Sequence, residues 1–325
     1  MARMIKEMNY YGKRRIPFLF VIDFDLKAPR CVPLSGVDET AVLYFIDGLT
    51  NGGMAGSYTT VDYGKITVTK HPVPYETYLE AFNKAVEQLG QGNTYLLNLT
   101  FPTRIETNVS LRDLFFRSDA RYKLWIKDSF VVFSPETFVR IHGHTISSFP
   151  MKGTIDASIE DAEKKILEDE KEHAEHVTIV DLIRNDLSRV AKHVAVKRFR
   201  YVEKIRTNQK DLLQVSSEIA GELDAGYNER IGDIIFSMLP AGSVTGAPKP
   251  RTVEIIKAIE PYDRGYYTGV FGYFDGHGLD SAVMIRFIEN DKGHYVYKSG
   301  GGITIYSDPQ KEYQELIDKV YVPVI

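Results

Sequence analysis

Segments with β character come in clusters in this chain, and helices fall between the clusters. Residues 94–101, 123–126, 130–133, 138–141 and 144–148 are such segments, and the last four follow one another with only short turns between them. Strands joined by short turns pair antiparallel, whereas a parallel sheet needs a long crossover between each pair of strands. The chain is therefore α+β. Residues 16–23 read as a further buried strand, and 194–205, 266–274, 281–289 and 293–298 as others.

Helices are predicted between these runs. Residues 75–89 carry Tyr78, Leu79, Phe82, Ala85, Val86 and Leu89 on one face and stop at Gly90-Gln91-Gly92-Asn93. Residues 158–190 read as one long helix, with Ser158 as N-cap and Glu160 and Asp161 in its first turn. Residues 228–237 and 252–259 are short helices, and 309–320 form a terminal one. No Pro/Gly/Ser linker or internal repeat divides the chain, so residues 1–325 read as a single large domain.

Composition narrows the partners. A formal charge of −4 favours neither nucleic acid nor an anionic membrane. No segment approaches the roughly 18 apolar residues of a membrane span. The apolar run after the basic N-terminus is too short for a signal peptide and ends at Asp23. The one cysteine, Cys31, excludes an intrachain disulfide and suits a reducing compartment, so a cytoplasmic location is expected.

Several side chains stand where chemistry would need them. Lys152, in Pro150-Met151-Lys152-Gly153-Thr154, lies between an apolar residue and a Gly-Thr turn. Burial would lower its pKa and free the amine to attack carbon. Glu172 and Glu175, and likewise Glu312 and Glu315, stand three apart on helices and share a face. Each pair reads either as a solvated surface or as carboxylates for Mg²⁺, which suits a site made from two distant helices, waters and substrate oxygens. The zinc pattern His-Glu-x-x-His is absent.

Ser299-Gly300-Gly301-Gly302-Ile303 reads equally as an anion-binding nest or as a tight turn or bulge. The Gly242–Lys249 segment lacks the spacing of a nucleotide phosphate loop, yet Pro248 and Lys249 precede a helix whose start can face an anion. Glu136, after Pro135, stands at a strand end, as a loop residue or as a general acid in a cleft. Arg286 sits within an apolar strand and needs a partner, either a structural carboxylate or that of a substrate.

The order of these segments resembles the chorismate-utilising enzymes, a family that includes anthranilate synthase component I, aminodeoxychorismate synthase component I, and isochorismate and salicylate synthases. The resemblance rests on Ser134-Pro135-Glu136, Pro150–Thr154, and Lys171-Glu172-His173-Ala174-Glu175-His176 running into residues 179–187. Residues 242–249, Ile285-Arg286, Gly300–Ile303 and residues 312–319 complete it. It covers about residues 75–325, with a shortened N-terminal region at 1–74.

The resemblance implies two packed, mostly antiparallel sheets flanked by helices. Lysine in Pro-x-Lys-Gly-Thr is the mark of aminodeoxychorismate synthase, where anthranilate synthases typically have alanine. It implies that Lys152 attacks C2 of chorismate and expels the 4-hydroxyl, after which ammonia attacks C4 and expels the lysine. The 4-amino-4-deoxychorismate formed would serve p-aminobenzoate and folate synthesis. Glu136 would be the general acid, and Glu175 and Glu315 the Mg²⁺ ligands. Arg286, Thr154, Gly246, Ala247, Gly301 and Gly302 would hold the substrate.

Leu96 aligns where water-activating members carry Lys or Gln, which speaks against an isochorismate synthase. Leu213 aligns with a usual His. Cys31 lacks the context of a glutaminase nucleophile, so ammonia is expected from a separate glutaminase subunit. No tryptophan regulation is expected, because longer relatives carry the tryptophan-binding region N-terminal to the matched part. The alternatives are an anthranilate-type enzyme releasing pyruvate and a chorismate-binding regulatory protein without turnover.

Overall fold

A computed structural model describes residues 1–53, 64–205 and 211–323. In chain order the elements begin with α1 (Ala2–Lys13), β1 (Phe18–Ile22), β2 (Arg30–Pro33), β3 (Val42–Ile46), β4 (Leu49–Thr50), β5 (Val68–His71) and α2 (Tyr75–Gly90). There follow β6 (Leu96–Thr107), α3 (Leu111–Phe116), β7 (Tyr122–Ile126), β8 (Phe130–Ser134), β9 (Thr137–His142), β10 (Thr145–Ser148) and β11 (Met151–Asp156). Then come α4 (Ala162–Glu168), α5 (Glu170–Ser188), β12 (Lys192–Ile205), β13 (Leu212–Glu222), α6 (Ile231–Met238) and β14 (Gly246–Ala247). The last elements are α7 (Lys249–Ile259), β15 (Val270–Phe274), β16 (Leu279–Val283), β17 (Phe287–Asp291), β18 (His294–Ile303) and α8 (Pro309–Asp318).

The strands form two antiparallel sheets. One runs β11-β13-β10-β9-β16-β15-β1-β2, with β12 on the other edge of β13. The other runs β14-β6-β18-β17-β8-β7-β3-β4, with β5 on β6. Their central strands are buried on two faces, which is why β1 and β8 read as continuous apolar runs rather than alternating ones. Leu19 and Val21 of β1 meet Phe130 and Val132 of β8 between the sheets. Phe18, Phe20 and Ile22 turn outward to a layer that includes α1, α5 and α6. Val131 and Phe133 turn outward toward α3. Helices α2, α7 and α8 cover β6 and the end of β18. The expected α+β architecture of two packed sheets flanked by helices is what the structure has.

Three expected elements differ. The single helix over 158–190 is two. Ser158 is no N-cap; it lies in a turn and binds Asp156. Asp161 is left-handed, and α5 restarts at Asp169, whose side chain accepts from the Glu172 N–H. The strand predicted over 281–289 is also two, β16 and β17, in different sheets, because Arg286 takes φ 53° and turns the chain across. Last, the glycines of 300–302 are neither nest nor turn. They continue β18, opposite Thr100, Leu99 and Asn98 of β6.

Candidate active site

Two chain crossings between the sheets build the centre of the site. The step from β8 to β9 carries Pro135 and Glu136, and the step from β16 to β17 carries Ile285 and Arg286. They lie side by side. The Val283 N–H donates to the Glu136 carbonyl at 3.1 Å, and the Phe133 N–H to that of Arg286 at 3.1 Å. A polar side chain at a crossing escapes the apolar layers on either side of a sheet. Both Glu136 and Arg286 open into a cavity of about 530 Å³.

The same cavity takes Lys152 and Thr154 from β11, Glu172 and Glu175 from α5, Gly246 from β14, and Gly300, Gly301 and Gly302 from β18. Glu312 and Glu315 of α8 and Lys319 complete its rim. Of the expected site residues, Lys152, Glu136, Arg286, Thr154, Gly246, Gly301, Gly302, Glu175 and Glu315 all line it. Ala247 does not. It pairs with Leu96 at the sheet edge, and its carbonyl accepts from Tyr95 and Thr94.

Lys152 is ion-paired. Its Nζ donates to Glu175 Oε2 at 3.0 Å. Burial pulls the amine down, but the neighbouring Glu175, with Glu172 and Glu315 adding, outweighs it and holds Lys152 above the ordinary lysine value. The expected lowered pKa is thus corrected, and the cause is the adjacent carboxylate. A Cβ on Gly302 would stand 3.6 Å from this amine and 3.2 Å from Leu96. A Cβ on Gly301 would meet Glu312 at 3.4 Å and Glu315 at 3.8 Å. The glycines therefore keep the space beside the lysine and the acids open. Beyond Lys298, β18 no longer pairs with β17. A strand directs its amides alternately to its two edges, so from Ser299 on one edge of β18 is no longer covered by β17.

Burial raises the Glu136 carboxyl, opposed by a hydrogen bond from Ser243 and by the charges of Lys152 and Lys319. The Ser243 hydroxyl donates to Glu136 Oε1. Arg286 makes no ion pair among the described residues; its guanidinium lies 4.9 Å from the Tyr321 ring centroid. Among the described residues this half-buried charge therefore has no carboxylate partner. Lys319 pairs with Glu315 at 2.6 Å and donates to the Gly300 carbonyl. Lys298, which also lines the cavity, is engaged by Glu289 and the Arg264 carbonyl.

Two expectations about neighbouring segments change. Lys249 is not left to meet a ligand, for its Nζ is buried against both Asp186 oxygens at 2.6 Å and the Met238 carbonyl at 2.9 Å. On β13 the residue that lines the cavity is Gln214, not Leu213. Alternate residues of a strand face opposite sides, so a one-residue difference in alignment exchanges the two. Leu96 does line the cavity, as an apolar wall.

Sequence reasoning missed Ser243, Gln214, Lys319 and the support beneath them. That support is Arg264, 2% exposed and paired with equally buried Glu260. Its guanidinium also donates to the carbonyls of Val244 at 2.8 Å and Asn98 at 2.6 Å, tying the Ser243 turn to β6. An Arg and a Glu four apart on a helix-to-loop segment gave no sign of burial.

The carboxylates offer only oxygen donors. Among the described residues no three His, Cys, Asp or Glu side chains converge as a ready-made metal cage. Mg²⁺ keeps several waters and is held by one or two carboxylates plus substrate oxygens. Glu175 and Glu315, from two helices that line the cavity, are hard oxygen donors of the kind such an ion takes.

Fold and cavity define an enzyme of the chorismate binding family, and the sequence agrees: residues 65–324 match the family of chorismate binding enzymes, and the chain belongs to it. It is 48% identical to an uncharacterized PabA-like protein of Haemophilus influenzae, over 100% of this chain and 97% of that one. It is 35% identical to anthranilate synthase component 1 of Archaeoglobus fulgidus, over 74% of this chain and 61% of the relative. To aminodeoxychorismate synthase component 1 of Bacillus subtilis it is 33% identical, over 74% and 54%. The chain thus spans little more than half the length of these two synthases. Among the described residues no helix is long and apolar enough to cross a membrane.

Proposed function

We propose that this chain is the chorismate-aminating component of an aminodeoxychorismate synthase. The observation that carries the reading is the Lys152 amine, standing between Glu175 and the bare glycine strand in a cavity that also holds Glu136 and Arg286. Such a volume suits a small molecule, and Arg286 with the uncovered edge of β18 suits a carboxylate.

Lys152, once deprotonated, forms a bond from Nζ to C2 of chorismate. Both ring double bonds shift, C1=C2 to C1=C6 and C5=C6 to C4=C5, the C4–O bond breaks, and Glu136 gives its proton to the departing hydroxyl, which leaves as water. Hydroxide is a poor leaving group, so the acid is necessary. Ammonia then attacks C4, both double bonds shift back, and the C2–N bond breaks to release Lys152. The sum is chorismate plus ammonia to aminodeoxychorismate plus water. Mg²⁺ at Glu175 and Glu315, when bound, would neutralise a carboxylate of the substrate.

The ammonia comes from a separate glutaminase. Cys31, the one cysteine, is half-buried, and burial with the nearby Glu7 pushes its thiol up to about 12, which leaves it a poor nucleophile. The same reading expects a cytoplasmic enzyme without tryptophan regulation.

The test is incubation with chorismate, Mg²⁺ and ammonium at mildly alkaline pH, with products identified by mass spectrometry. Aminodeoxychorismate without pyruvate is expected. Anthranilate with pyruvate would move the chain to the anthranilate branch, which matches it equally well by identity. Chorismate bound but unchanged, even with a glutaminase present, would reject an enzymatic role.

A further inference from the structure

Glu136 and Ser243 reach the cavity from separate parts of the fold, the β8–β9 crossing and the turn between α6 and β14. That turn has little freedom. Arg264 holds the Val244 carbonyl at 2.8 Å, and the Thr245 hydroxyl closes on the Ala241 carbonyl at 2.9 Å. Gly242 lies so near α5 that a Cβ would stand 2.9 Å from Leu182 and 3.0 Å from Asp186. On the other side, the Glu136 N–H is held by the Ser134 hydroxyl at 3.1 Å and its carbonyl by Val283. Both partners of the Ser243–Glu136 contact are thus fixed at the backbone.

We propose that Ser243 is the positioning residue of the acid: by donating to Oε1 it confines the Glu136 proton to Oε2. A carboxyl oxygen that accepts a hydroxyl hydrogen bond is the carbonyl-type oxygen of the protonated acid, so the transferable proton resides on the other. The contact has a second effect. A donor to a carboxylate favours its charged form, so Ser243 holds the pKa of Glu136 below what burial alone would set. The other charged or titratable groups facing Glu136 are Lys152 from β11, Lys319 after α8, and Tyr267 ahead of β15; Arg286 opens into the same cavity.

This inference rests on the reading of Glu136 as general acid, and its test separates the two. The carboxyl stretch of Glu136, identified by its loss in Glu136→Gln, is followed by infrared titration in the wild type, Ser243→Ala and Ser243→Thr. In parallel, kcat and KM for chorismate with ammonium are measured against pH. In Ser243→Ala the band is expected to persist to higher pH, with kcat reduced roughly tenfold, the scale of one hydrogen bond to a charged group, and KM little changed. Ser243→Thr, which keeps the hydroxyl, restores both. An unmoved band in a folded Ser243→Ala overturns the proposal, as does a Thr variant as impaired as the Ala one. Should Ser243→Ala not fold, Ser243→Cys, a weak donor of similar size, takes its place with the same expected direction. If wild-type protein turns over no chorismate, the functional reading fails, while the infrared titration still decides the role of Ser243.

Discussion

Lys152 Nζ lies 3.0 Å from Glu175 Oε2, a contact between strand β11 and helix α5 that spans 23 positions of sequence. Because the pair raises the folded pKa of Lys152, its stabilising effect is full below the ordinary lysine value of 10.5 and is lost only as pH rises through the folded value. At neutral pH the pair is intact, and on the proposed route Lys152 must shed a proton before it can act. Glu175→Gln removes the largest raising influence and leaves the lowering by burial. The expected outcome is a lower Lys152 pKa by ¹⁵N-lysine NMR, together with loss of Mg²⁺-dependent activity. An unchanged pKa would show that Glu175 does not control the amine. Lys152→Ala is expected to abolish amination while circular dichroism stays unchanged; full turnover would remove the covalent route.

The Lys249–Asp186 pair bears on stability rather than chemistry. Its side chains are 9% and 11% exposed, and burial raises the acid and lowers the amine. Lys249→Met leaves an uncompensated buried carboxylate and is expected to cost about 3–5 kcal/mol in urea unfolding. Adding Asp186→Leu should recover much of that loss. A single variant within 0.5 kcal/mol of wild type, roughly the scatter of surface changes, would mean that solvent reaches Asp186.

His176 is 1% exposed, with Nε2 at 2.7 Å from the Ser217 hydroxyl. Burial first, then the charges of Arg200, Lys152 and His173, lowers its pKa from 6.5 to about 4. The folded value is depressed, so the unfolded chain takes up the proton first as pH falls. The stability tied to neutral His176 is full above pH 6.5 and is lost as pH falls toward about 4. His176→Gln should therefore flatten the decline of Tm over that range. A parallel decline in wild type and variant would assign the acid sensitivity to other groups.

The strands were legible where both faces are buried, because β1 and β8 carry unbroken apolar runs between turn residues. Helix α2 was legible from its spacing. Helix α1 was not predicted, although Met4 and Met8 stand four apart and are buried, because the charges between them masked the pattern. The break at Asp169 had a readable sign, Asp followed three residues later by Glu172, which the longer acidic run obscured. The turn at Arg286 had none, since no glycine or proline marks it. The site was legible as a set of residues and not as a set of contacts. Which carboxylate meets Lys152, which hydroxyl meets Glu136, and whether position 213 or 214 faces inward depend on pairing between distant strands and helices.

The interleaving of the two sheets bears on when this protein can work. The glycine segment of β18 pairs with β6 across some two hundred positions of sequence, with Gly302 opposite Asn98, and α8 then packs on the result. Contacts so far apart close late in folding, since the loop entropy must be met before they form. Lys152 and Glu136 are translated well before Glu312, Glu315 and Lys319, so a nascent chain carries the first two without the wall that encloses them. The cavity is thus closed by the C-terminal residues of the chain, and without them it is an open groove.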